Sequence, residues 1–121
     1  MSIASKYNKG SRFNYQWPTK EEATYAKLQG LYDVNNTDKV FTVRALLIGT
    51  KGKFGDEPVI GLDNNIIVNC PKHMVEVINM MLEDDDAIEA INAGKLGFKV
   101  RTYVDKTFGK LCYAVEWVDI D

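Results

Sequence analysis

The stretch from Ile66 to Val104, IIVNCPKHMVEVINMMLEDDDAIEAINAGKLGFKVRTYV, decides the fold. It opens with Ile66-Ile67-Val68-Asn69-Cys70, a β-branched run that reads as a strand. Pro71 ends it, because proline has no N–H to donate to a ladder. Met74, Val77, Ile78, Met81 and Leu82 then recur three and four residues apart, which puts them on one face of a helix. Asp84-Asp85-Asp86 interrupts that helix and caps a second short turn from Ala87 to Ala93, with Gly94 as its left-handed stop. From Leu96 the period changes from helical to two. Leu96, Phe98, Val100, Thr102 and Val104 fall on one face, and Gly97, Lys99, Arg101 and Tyr103 on the other. A helix is therefore enclosed between two strands.

Before this stretch, Val40 to Ile48 is a long β-branched run ending at Gly49, and Pro58 to Leu62 is a second strand. Asp63-Asn64-Asn65 turns the chain between that strand and Ile66. After it, Leu111 to Ile120 is a fifth strand. Both of its faces are fairly apolar, which predicts cover on both sides, by core on one and by another element or subunit on the other. Ahead of the strands, residues 1–17 are polar and carry Tyr7, Phe13, Tyr15 and Trp17. Thr19 and Glu22 fit a capping box, and the spacing predicts a short helix from there to about Gly30. The expected organisation is a single domain over residues 1–121. Residues 1–38 form the arm and short helix, and residues 39–121 the body.

Two turns look alike. Lys51-Gly52-Lys53-Phe54-Gly55-Asp56 joins the first two strands, and Asp105-Lys106-Thr107-Phe108-Gly109-Lys110 joins the last two. Each sets a phenylalanine among lysines and glycines at a loop tip. Exposed rings beside cations suit a ligand with flat faces and an anionic backbone, which describes single-stranded nucleic acid. The alternative is a pair of ordinary hairpins whose rings fold back onto the body.

Composition is that of a globular domain, 45% hydrophobic and 26% charged. No apolar run reaches the ~18–20 residues of a membrane span, and the polar start lacks a signal-peptide core, so a cytoplasmic protein is expected. The net charge of −2 is unevenly spread along the chain. Residues 1–54 hold nine Lys and Arg against four acids, and residues 55–121 six against thirteen. A basic face opposite an acidic one suits a binder of polyanions; a mixed, solvated surface is the plainer alternative. Cys70 and Cys112 read as buried, reduced thiols. With His73 they make too few ligands for zinc, so no metal or other cofactor is expected. There is no phosphate loop, nucleophile elbow or zinc pattern, so an enzyme is not expected either.

The order strand, strand, strand, helix, strand, strand is that of the five-stranded OB barrel, with the helix between strands three and four. Its working loops join strands one and two, and strands four and five. These are the loops that carry Phe54 and Phe108. Lys99, Arg101 and Tyr103 add a basic and aromatic stripe on strand four, and Arg44 adds to it from strand one. Arg12, Phe13, Tyr15, Trp17 and Lys20 form a further basic and aromatic cluster in the arm. That cluster either extends a nucleic-acid path or packs on a barrel edge, and Trp17-Pro18 ahead of a cap favours packing.

From about Lys39 through Ile120, with the aromatic arm before it, the sequence resembles small phage-encoded single-stranded DNA-binding proteins of the kind found in phages of lactic-acid bacteria. The resemblance rests on the overall pattern and the two turns of Lys-x-Phe-Gly type. It implies an OB fold, a homo-oligomer, sequence-tolerant binding of single-stranded DNA, and a role in phage replication or recombination. By position it puts the binding surface on Lys51, Lys53 and Phe54, on Lys99, Arg101 and Tyr103, and on Lys106, Phe108 and Lys110. The bacterial relatives end in a flexible linker and an acidic tip, whereas here strand five runs straight into Trp117-Val118-Asp119-Ile120-Asp121. Recruitment of replication or recombination proteins through a tail is thereby in doubt. A protein-interaction module on the same barrel, with no nucleic-acid contact, is the competing reading.

Overall fold

The computed structural model describes residues 13–52 and 55–120, and the side chains of residues 50–56 lie outside that description. The fold is mainly β, with two sheets. One has β1 (Thr24–Lys27), β5 (Ile66–Asn69), β4 (Gly55–Gly61) and β3 (Ala45–Gly52), in that spatial order. The other has β2 (Phe41–Thr42), β6 (Leu96–Asp105) and β7 (Lys110–Asp119). Among the described residues three helices complete it: α1 (Leu28–Leu31), α2 (Val75–Leu82) after a 3-10 turn at Lys72–Met74, and α3 (Asp85–Asn92). Among the described residues no helix is long and apolar enough to cross a membrane.

The run from Val40 to Ile48 joins the two sheets. Phe41 and Thr42 pair with Phe98 and Gly97 of β6. Two residues on, the Val43 N–H donates to Leu96 O at 2.9 Å, while the Arg44 N–H donates to Gly61 O at 2.9 Å. In extended backbone, neighbouring N–H groups point to opposite sides, so one run serves both sheets. Gly97 makes the seam close. A Cβ there would meet Phe41 O, Val40 and Ile120, each at 2.8 Å.

Hairpins follow the turn chemistry. Asn64 and Asn65 both have φ near +60°, so Asp63–Ile66 is a type I′ turn joining β4 to β5, and asparagine tolerates that conformation best after glycine. Between α2 and α3, the Asp84 carboxylate accepts from the Asp86 and Ala87 N–H groups and starts the second helix. Gly94, at φ +72°, ends it. The helical pair thus sits between the third and fourth expected strands, within a residue or two of its sequence-based limits at α2.

The predicted helix from Thr19 to Gly30 is replaced by something else. Thr19 and Glu22 do exchange the bonds of a capping box. The chain then turns at Lys20–Glu22 and enters β1, which pairs in parallel with β5 from Thr24↔Ile66 to Lys27↔Asn69. The open edge of β5 outcompetes the local helix signal, since Thr24 and Tyr25 suit a strand and only Leu28 onward turns helical. Because β1 takes that edge, β5 does not pair with β7, and the sheets do not close into a five-stranded barrel.

The core lies between the sheets and under α2 and α3, with Val43, Ile60, Val68, Ile78, Ile91 and Phe98 almost fully enclosed. Phe13 joins it at 5% exposure. Tyr15 and Trp17 pack edge to face, 5.0 Å between centroids, and lean on Gly61.

Candidate functional site

The candidate site is a cleft of about 720 Å³ between the two sheets. One wall is the end of β4 and β5, with Pro58, Asn69 and Cys70, running into Lys72 and His73. A second is the junction of β1 and α1 at Lys27 to Gln29. The third is the distal part of the β6–β7 hairpin, with Tyr103 and Lys110 to Tyr113. The missing pairing between β5 and β7 opens this cleft. Three lysines and a histidine line it, against one acid, Glu57. A chain of net charge −2 therefore concentrates cations in one concavity.

The hairpin that walls the cleft extends beyond the core. Phe98 and Val100 are buried, but Thr102, Tyr103 and Val104 are exposed in succession, so the alternation read from the sequence ends in burial after Val100. Val104 and Leu111 are cross-strand partners on the continuation of the inner face, 60% and 52% exposed. At the tip, the Asp105 carboxylate accepts from the Thr107 N–H at 2.8 Å, and Gly109 at φ +60° closes the turn. Phe108 stands there 82% exposed, beside exposed Lys106 and Lys110. It does not fold back onto the body. Tyr103 stands opposite Cys112 in the ladder. Partial desolvation, with Cys112 and Asp105 adding to it, raises the Tyr103 phenol above its ordinary range.

The stripe expected on strand four has another role. The Arg101 guanidinium makes two bonds to Glu116 Oε2, at 3.1 and 2.8 Å, one to Thr37 O and one to Asp38. Lys99 lies 3.6 Å from the same Asp38. Hydrogen bonding from Arg101, followed by the charges of Lys99 and Arg101, holds the Asp38 carboxyl below its usual range. Arg44 likewise donates from Nε and Nη2 to the two carboxylate oxygens of Asp63, at 3.0 and 3.3 Å. These three cations each face an acid, and of the stripe only Tyr103 reaches the cleft. The basic and acidic halves of the chain therefore interlock at these contacts rather than separate.

In the arm, Phe13, Tyr15 and Trp17 pack on their own core, and the Tyr15 hydroxyl donates to Leu62 O at 3.0 Å. Lys20 is exposed in the turn before β1, and Arg12 lies outside the described residues. So do Lys53 and Phe54 and the side chain of Lys51. Of the residues singled out from sequence, the cleft thus gathers Tyr103 and Lys110, with Lys106 and Phe108 at its hairpin tip.

Lys27, Lys72, His73 and Tyr113 line the cleft without having been expected there. Lys27 was assigned to a helix, and Lys72-His73 follows Pro71 with no local sign of facing the last hairpin. Cys70 and Cys112 also line it, half-buried rather than buried. Burial pushes the Cys70 thiol up to about 12. No three His, Cys, Asp or Glu side chains converge among the described residues.

Compared with known protein families, curated proteins and solved structures, the chain matches none.

Proposed function

We propose that this chain is a sequence-tolerant single-stranded DNA-binding protein built on an open OB-type body, serving phage replication or recombination. The observation that carries the reading is the cleft: Lys27, Lys72 and Lys110 around Tyr103 and Tyr113, with Phe108 at the tip of its outer wall. Ammonium groups there neutralise phosphates and release counterions. The rings supply flat faces on which bases stack irrespective of sequence. The order of pairings supports an OB-type body. The first long run pairs with the second and the fourth, the fourth with the fifth, and the helices follow the third. In that frame the cleft is walled by the base of the hairpin whose loop follows strand four, and by Glu57 and Pro58 of strand two. The phage assignment rests on the sequence resemblance alone.

The test is a fluorescence-anisotropy titration of labelled oligo-dT, with duplex of equal length as control. Saturable binding of the single strand, much tighter than duplex and weakened by Lys27→Glu with Lys110→Glu, is the expected result. Equal affinity in a folded double variant would remove the cleft from the mechanism. No binding by either nucleic acid would favour the protein-interaction module, for which the exposed aliphatic pair Val104 and Leu111 is the supporting observation.

A further inference from the structure

The far end of the β6–β7 hairpin exposes more apolar surface than a single base covers. Among the described residues nine large hydrophobic side chains are exposed, and four of them, Tyr103, Val104, Phe108 and Leu111, stand on this hairpin. Tyr103 and Phe108 are rings on which a base can stack. Val104 and Leu111 are not, and the core does not use them. They form one patch. Leu96 O accepts from the Val43 N–H, outside the β6–β7 ladder, so Leu96↔Asp119 is a non-bonded pair. Counting along the ladder by twos, so is Val104↔Leu111. Side chains lie closer in such pairs, with Cα atoms about 4.5 Å apart. Leu111 lines the cleft, and Val104 continues the apolar surface outside the lining. The tip from Asp105 to Lys110, with Phe108 in it, joins the two strands directly beyond this pair.

Cations rim the patch. Lys106 and Lys110 flank Phe108, and among the described residues neither is in an ion pair, unlike Lys99 and Arg101. Asp105 is the acid beside them. It stands opposite Lys110 in the ladder, and its carboxylate accepts from the Thr107 N–H. An apolar surface broader than one ring, at the mouth of a cationic cleft, fits a flat apolar face edged with phosphates. The end of a double helix has that form. Its last base pair is two bases wide, lacks a stacking neighbour on one side, and carries a phosphate backbone at each edge. Apolar side chains such as Phe and Leu are used against the faces of base pairs in proteins that kink duplexes.

We infer that the hairpin tip covers the terminal base pair of a duplex whose single-stranded extension lies in the cleft, so that the preferred ligand is a junction of single and double strand. Phe108 stacks on the pair, Val104 and Leu111 widen the apolar cover, and Lys106 and Lys110 meet the flanking phosphates. This preference rests on the single-strand reading of the cleft, which by itself favours no junction.

The experiment compares three labelled ligands by anisotropy: oligo-dT, the same oligo-dT extending from the 5′ end of a duplex, and the same extending from the 3′ end. One of the two junctions should bind about tenfold tighter than oligo-dT, the lower part of what one stacking contact contributes. Val104→Ser should abolish that preference and leave the affinity for oligo-dT unchanged, since Val104 lies outside the cleft lining. Val104→Ile should keep it, and urea unfolding of both variants checks that they fold. A 2-aminopurine in the terminal pair should change its emission on binding, and one deep in the duplex should not. Binding of oligo-dT with neither junction preferred overturns the inference, leaves the single-strand reading standing and assigns the aliphatic pair to a protein partner. A preference that survives Val104→Ser in full, or an emission change confined to the interior of the duplex, overturns it as well. Binding of none of the three ligands removes the junction and the single-strand reading together.

Discussion

Phe108 is the residue whose surroundings say most about function. A phenylalanine exposed to this degree at a hairpin tip contributes nothing to the core, so its removal isolates binding from folding. Phe108→Ala should leave the unfolding midpoint unchanged and weaken oligo-dT binding by roughly tenfold, the lower part of what one stacked base contributes. Anisotropy beside urea unfolding of the same sample reads both. Cys70 poses a different test. Its thiol ordinarily ionises near 9.0, and burial raises that to about 12. Above pH 9 the unfolded chain would lose the proton while the folded chain keeps it. Stability should then be full below about pH 9 and fall as pH climbs toward 12. Urea midpoints at pH 8 and pH 10 should therefore diverge more in the wild type than in Cys70→Ala. Equal divergence in both would show that other groups set the alkaline limit.

At the scale of elements, α3 depends on one cap. Asp84 accepts from two N–H groups that no helical carbonyl can reach, at 3.0 and 3.4 Å. Asp84→Ala should cost about 1 kcal/mol by thermal or urea unfolding, and Asp84→Asn much less. The cap, the α2 stripe and the β4–β5 turn were legible because each is written in residues adjacent along the chain. The β1 segment was misread for the opposite reason. Its capping box is real, but the partner that makes Thr24–Lys27 a strand is β5, about forty residues away. Arg101 shows the same limit at the site. Period two placed it correctly on the outer face of strand four, yet nothing local indicated that Asp38 and Glu116 would meet it there. Lysines that do line the cleft, Lys27 and Lys72, lie on segments that become neighbours only because β5 and β7 stay apart.

Across the whole molecule, charge and topology act together. The chain is acidic overall, which opposes long-range attraction of a polyanion, so the proposed function requires the attraction to come from the cleft at short range. Three lysines line that cleft, and Lys106 stands at its hairpin tip. Each phosphate neutralised on a single strand contributes about −0.7 to the slope of log K against log salt. Engagement of three should give a slope of roughly −2 for oligo-dT, and Lys27→Glu with Lys110→Glu should flatten it to about −0.7. Loss of affinity with an unchanged slope would instead assign those lysines to holding the cleft's shape. A slope much steeper than −2 would mean that phosphates also meet cations outside the cleft, and the first hairpin, with Lys51 and Lys53, would be the place to look. The slope thus distinguishes a strand confined to the opening between β5 and β7 from one that continues along the first loop, a distinction that affinity alone does not make.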